Sequence, residues 1–204
     1  FNNDVSKLNF MNLTTREAQR RLETINQSSL TSVYVVSDGA DLESALKKNE
    51  RVAPELKAMK SENVINKYAT VSTFLISDSL QKVRIRRWND YWTQERKDKV
   101  VNEVRRKGAE LKFSDQVIHN FDTLLSREYE VAGASAVSQI RAAFFDDYII
   151  EKNGVTVISL VNVNPANKQN LYDRLQHSPV HAFDRQMLTN LFVEYVNADF
   201  HFVV

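Results

Sequence analysis

Residues that could do chemistry are few in this chain and widely spaced. Ser44 and Lys47, in "SALK", have the S-x-x-K spacing in which a lysine one helical turn away can activate a serine nucleophile. The companion S-D-N and K-T-G motifs are missing, and the stretch is rich in Lys and Glu, so the pair reads as part of a solvated helix face. "GASAV" (133–137) departs from G-x-S-x-G at its last position. Val137 stands where a nucleophile elbow needs Gly for its strand-to-helix turn. "HSPVHAFD" brings His177, His181 and Asp184 close in sequence, but Pro179 breaks the helix on which two histidines could share a metal. Asp146 and Asp147 are adjacent, and in a strand they would point to opposite faces instead of forming an acid–base pair. No catalytic residue, metal ligand or cofactor is expected. An enzyme of unrecognised type would have to use His181 with Asp184, or Ser44 with Lys47.

The stretch "VRIRRWNDYW" (83–92) is the most unusual. Arg84, Arg86 and Arg87 interleave with Trp88, Tyr91 and Trp92, a mixture that can bind single-stranded nucleic acid. Asp90, Glu95 and Asp98 follow closely and dilute the field. The whole chain carries 27 Lys plus Arg against 26 Asp plus Glu, a formal charge of +1, which argues against nucleic acid or an anionic membrane as partner. Two readings remain for Arg84, Arg87, Trp88, Tyr91 and Trp92. One is a helix whose aromatic face packs on the domain while arginine stems cover its edge. The other is a surface that meets a hydrophobic substrate or a partner.

With 204 residues the chain can bury a substantial core as one large domain or two small ones. It has no cysteine, which excludes disulfides, thiolate metal sites and thiol nucleophiles. Only 4 Gly and 3 Pro suggest regular elements joined by short connections. No apolar window is long enough to span a bilayer and no signal-peptide pattern is present. The first residue is Phe, as expected of a processed product or an excised piece.

Stepping along the chain, the periodicity predicts a Thr-capped helix near 15–27, a buried strand at 32–37 and a helix opened by Asp41 that Pro54 kinks or splits near 51–53. "KYATVSTFLIS" (67–77) reads as a second strand. A long helical stretch follows, with an Asp78–Gln81 capping box at its start and basic residues before Gly108 at its end. Ser114 caps a further helix, stapled by Phe113 and Ile118, whose buried face is Val117, Phe121, Leu124 and Leu125. A short helix near 136–145 leads to an Asn153–Gly154 hairpin between strands at 147–152 and 155–163. Pro165 opens a helix around Leu171 and Leu175, "VHAFD" (180–184) is a last short strand, and the closing helix follows. Without the helical block the order is strand–helix–strand, then strand–strand–helix–strand. This predicts an α+β fold, a ferredoxin-like (split βαβ) sandwich over 1–77 and 128–204 with a helical insertion at 78–127.

Both ends carry apolar drifts. "FNNDVSKLNFMN" begins apolar and turns polar at once, while "RQMLTNLFVEYVNADFHFVV" runs from an amphipathic helix into an apolar close. That is how a chain leaves and re-enters a bilayer. F-x-x-D-V-x-x-L-N-F-M (Phe1 to Met11), "ALKKNE" (45–50), "RRWNDYW" (86–92) and "VEYVNADF" (193–200) together resemble one family. It is the MMPL-like branch of the resistance–nodulation–division (RND) exporters, as found in Bacteroides-type bacteria, and the segment matched is the large loop between the first and second transmembrane helices.

The resemblance implies a non-enzymatic, ferredoxin-like porter domain on the periplasmic face of the inner membrane. It would belong to a proton-driven exporter of lipid-like or other hydrophobic molecules. Its partners would be the transporter's remaining transmembrane and periplasmic domains, with self-association a further expectation. The proton-relay carboxylates of such exporters lie in helices outside this segment, so no functional residue is carried over. Phe1, Asp4, Asp199, Phe200 and Phe202 would be the membrane-proximal ends, with Phe1 and Val204 close together. The rival reading is a free-standing binding or adaptor domain that docks a partner through its C-terminal amphipathic helix.

Overall fold

The protein, seen in a computed structural model, is described over residues 12–25 and 32–201. The termini expected to emerge side by side, Phe1 and Val204, lie outside these described residues. The fold is α+β, and the chain divides into two compact units. One comprises the described residues up to Ile76 and those from Ile140 onward; the other is Ser77–Gln139. The helical unit is therefore longer than the 78–127 block.

In the first unit β1 (Ser32–Gly39), β2 (Ile65–Ala69), β3 (Ile149–Glu151), β4 (Val155–Val163) and β5 (His181–Phe183) form one antiparallel sheet. The order is β2-β4-β1-β5, with β3 also paired to β4. The β1–β4 register places Val33 opposite Val161, Val35 opposite Ser159 and Ser37 opposite Val157, all on one buried face. Two helices cover that face. α2 (Leu42–Ser61) contributes Val52, Leu56 and Met59, and α7 (Lys168–Leu175) contributes Leu171 and Leu175. Each fully buried side chain of this kind is worth roughly 1.5–3 kcal/mol of transfer free energy.

Several local expectations are corrected. The second strand stops at Ala69, and Val71–Thr73 is a 3-10 turn. β2 pairs with the far half of β4, Leu160 to Val163, and β3 takes the near half of the same edge, Val155 to Val157. A strand continued past Ala69 along β4 would therefore run into the stretch that β3 already pairs. Between the pairs made by Ile65 and Lys67 the register slips by a bulge, and Asn66 Nδ2 there donates to Asn162 Oδ1 at 2.9 Å. Pro54 does not split α2. It sits on the exposed side of the helix, so the buried stripe continues past a missing hydrogen bond. Asp146 and Asp147 lie in a 3-10 turn ahead of β3, not in the strand.

Helix ends also differ. α1 (Leu13–Ile25) starts earlier than predicted because Asn12, not a threonine, caps it: Thr15 N donates to Asn12 Oδ1 at 2.7 Å. The remaining helices before β3 are α3 (Asp78–Tyr91), α4 (Gln94–Glu110), α5 (Asp115–Ser126) and α6 (Ala134–Phe144). Ser77 caps α3 in place of the Asp78–Gln81 box, and the Gln81 side chain instead accepts from Ala132 N at 2.8 Å. The helical stretch is cut at Trp92 by Thr93, which caps α4. Gly108 lies inside α4, and the left-handed position after the helix is filled by Lys112 at φ 58°. In α5 the buried residues are Ile118 and Leu125, whereas Val117 and Leu124 are about half exposed. Ser114 holds the cap position, but its hydroxyl makes no cap bond.

The hairpin forms at Asn153 (φ 57°) and Gly154 (φ 118°), as its sequence predicts. A Cβ on Gly154 would also stand 2.7 Å from the Gly39 carbonyl oxygen. Gly154→Val is expected to cost about 1–3 kcal/mol in chemical denaturation, against almost nothing for Gly133→Val, around which there is open space. Equal midpoints for the two variants would refute this account of the turn.

Candidate functional site

In the helical unit, α3 turns one stripe inward. Gln81, Ile85, Trp88 and Trp92 are half-buried, and Arg84, Arg87 and Tyr91 line the exposed flank beside them. The two tryptophan rings lie 5.8 Å apart, Tyr129 meets Trp88 edge-on at 5.4 Å, and Tyr91 meets Trp92 edge-on at 5.1 Å. Two cations extend the cluster. The Arg96 guanidinium stands 4.9 Å from the Tyr91 ring centre and donates to the Tyr91 carbonyl at 2.8 Å, and Arg127 stands over Tyr129. The five residues singled out from the sequence thus share one surface. Tyr129, Arg96 and Arg127 had no signal in the periodicity, since Tyr129 and Arg127 follow α5 in a segment without regular structure and Arg96 belongs to the next helix.

Tyr91 remains 59% exposed, so this is a surface and not a core. The Trp88 indole N–H is nevertheless enclosed and finds no acceptor among the described residues, a cost tolerated here for the ring packing around it.

The first unit carries a second apolar surface, the sheet face opposite α2 and α7. The register puts Tyr34, Val36, Ile158, Leu160 and Phe183 there. Val36, Ile158, Leu160 and Phe183 are half-buried, Tyr34 is 39% exposed, and its ring stacks on Phe183 at 5.7 Å.

A third lies along α8 (Arg185–His201). Leu188, Leu191, Phe192 and Tyr195, the expected apolar stripe, are between 48% and 68% exposed. α7, β5 and α8 flank an open groove of about 950 Å³. At its floor Asp184 caps α8 by accepting from Met187 N at 2.7 Å, and Lys168 Nζ donates to its other oxygen at 2.5 Å. Burial pushes the Asp184 carboxyl up, but these hydrogen bonds and the Lys168 charge outweigh it and hold the group below the usual carboxylate range. Burial, and then the neighbouring Asp184, raise the Tyr172 phenol well above its ordinary value.

The residues considered for catalysis are engaged elsewhere. Ser44 and Asp41 form the capping box of α2, and Lys47 pairs with Glu43 at 3.1 Å. His181 is exposed, with Nε2 3.6 Å from Asp38 Oδ1, while Asp184 is held by Lys168. Among the described residues no His, Cys, Asp or Glu cluster could hold a metal, and no helix is long and apolar enough to cross a membrane. Of the membrane-proximal residues, Phe1, Asp4 and Phe202 lie outside the described residues, and Asp199 and Phe200 belong to the last turn of α8.

Comparison with protein-family models, with curated proteins and with solved structures finds no match to this chain.

The Asp184 contacts predict how α8 responds to pH. A depressed carboxyl contributes stability that is complete above its unfolded value of 3.8 and is lost as pH falls through the lower folded value. Hydrogen exchange across the first turn of α8 should therefore accelerate in that acid window. Asp184→Asn should expose the same amides faster at neutral pH and flatten the dependence, with about 1 kcal/mol lost from the cap. An unchanged exchange profile in the variant would remove Asp184 as the anchor of the helix.

Proposed function

We propose that this chain is a non-enzymatic domain of a proton-driven exporter of lipid-like or other hydrophobic molecules, in the MMPL-like branch of the RND superfamily. It would stand on the periplasmic face of the bacterial inner membrane and shape the substrate path. The observation that carries the proposal is the second face of the sheet. A sheet covered by helices on one side, with Tyr34, Val36, Ile158, Leu160 and Phe183 on the other, is half of a packed structure. Its complement would be another domain of the same transporter, and the paired aromatics of the helical unit would offer contact to a hydrophobic substrate.

The finer fold in this proposal is a ferredoxin-like, porter-type sandwich. In its support, β1-α2-β2 and β4-α7-β5 are split βαβ units whose strands interleave in the order β2-β4-β1-β5. The second reading, a free-standing adaptor docking through its last helix, is favoured by the exposed stripe on α8 alone.

The parent reading frame decides between them. Roughly twenty apolar residues are expected on each side of this segment, with a periplasmic reporter signal when alkaline phosphatase is fused between them. A frame that closes at Val204 would overturn the exporter reading in favour of the adaptor. Within the segment, both tryptophans, Trp88 and Trp92, sit in the aromatic cluster, so intrinsic emission reports on it directly. Brominated dodecyl maltoside below its micellar concentration should quench that emission saturably, and Tyr91→Ala should weaken the effect several-fold. Emission indifferent to the detergent would take the cluster out of the path.

A further inference from the structure

A separate recess of about 300 Å³ lies in the first unit, between the end of β2 and the turn that precedes β3. Its lining is Ala69, Thr70, Val71, Phe74, Phe144, Phe145 and Tyr148, with no charged side chain. The Thr70 hydroxyl is already committed, donating to Asn49 Oδ1 at 2.6 Å. Among the described residues that line the site, that leaves the Tyr148 phenol as the polar side-chain group outside this network. Both walls are tied down. On one side Phe74 N and Leu75 N donate to the Val71 carbonyl at 3.1 and 3.0 Å. On the other, Tyr148 N and Ile149 N both donate to the Phe145 carbonyl at 3.0 Å, and Arg141 bonds both Glu151 and the Ile149 carbonyl. The Phe74 and Phe144 rings each stand 6.3 Å from Phe145, tilted against it. Phe74 is 75% and Phe144 71% exposed, although each flanks an apolar concavity.

We propose that this recess binds the hydrocarbon tail of an amphiphile. With Thr70 committed and a single phenol at Tyr148, a pre-formed site lined almost wholly by carbon discriminates chiefly by shape and dispersion, so it favours an alkyl chain over a charged group. The volume is at the small end for a ligand site, enough for part of a chain, and the exposed faces of Phe74 and Phe144 extend the apolar track beyond the rim. The head group stays outside, in water. The proposal deepens the exporter reading by naming where hydrocarbon is held. It is decided by binding to the segment itself, whereas that reading is decided by the parent sequence, so either can fail alone.

The test is a titration of the isotopically labelled chain with dodecyl maltoside below its micellar concentration, followed by amide NMR. Saturable shifts are expected at 69–74 and 144–148. Dodecylphosphocholine should bind within about threefold of the maltoside, because the tail is what is recognised. Phe74→Ser with Phe144→Ser replaces two exposed rings, so the fold should persist by circular dichroism while affinity falls at least tenfold. Phe113→Ser, which removes an exposed ring in the other unit, should bind as the parent does. Shifts absent from these segments, or unaltered in the double variant, would overturn the proposal. So would shifts at the same amides that follow protein concentration without detergent, which would assign the recess to a second copy of the chain.

Discussion

Asn49 sits on the buried stripe of α2 and donates to Ser159 Oγ, in the middle of β4, at 2.8 Å. Its carbonyl oxygen accepts from Thr70 at 2.6 Å and from Ser72 at 2.7 Å, just after β2 ends. One buried amide thereby fixes three things: how far along β4 the helix lies, where β2 stops, and where the chain turns away from the sheet. In an apolar core such a network is costly unless complete, and here both ends of the amide are satisfied. It also selects the register. A one-residue slip of β4 would turn Ser159 to the other face and orphan the Asn49 amide in the core.

The register in turn decides which surfaces the first unit displays. Valines at 33, 35, 161 and 163 go under α2 and α7, Val157 is buried on the same face, and the intervening Tyr34, Val36, Ile158 and Leu160 must go to the opposite face. A strand of an ordinary half-solvated sheet alternates apolar with polar. β1 is apolar on both faces from Val33 to Val36, and β4 from Val157 to Val161 except at Ser159, so the second face is nearly as apolar as the first. The Phe-lined recess depends on the same network, because Thr70 and Val71 form its wall and Asn49 holds Thr70 in place.

What could be read in the sequence follows from how local each cause is. β4 and its hairpin were legible because Asn153–Gly154 and a β-branched run act on their immediate neighbours. The end of β2 was not, since it is set by competition with β3 for one edge of β4, from residues some eighty positions away. Whether Pro54 splits α2 was illegible for a related reason: its cost depends on which side of α2 faces water, which only the packed helix defines. In the aromatic cluster, the helical spacing of Trp88, Tyr91 and Trp92 marked one side of the site, whereas Tyr129 closes it from across the unit with no periodic signature.

The helical unit has a thin apolar core. Its buried side chains are chiefly Val101, Ile118 and Leu125, while Leu111, Phe113, Val117 and Leu124 stay half or more exposed. The ion pairs along α4, Arg106 with Glu103 and Glu110, and Lys107 with Glu110, are exposed on both partners and contribute little net stability. The edge-to-face rings around Trp88 therefore matter more to this unit than their surface position suggests, at about 0.5–1.5 kcal/mol per pair beyond their area burial. If the cluster takes a hydrophobic group, as proposed, occupancy would be coupled to order, because that group would add to a core that is otherwise thin. Binding would then tighten α3 against Tyr129 first, and the surface that meets the ligand would be the same one that stabilises the fold.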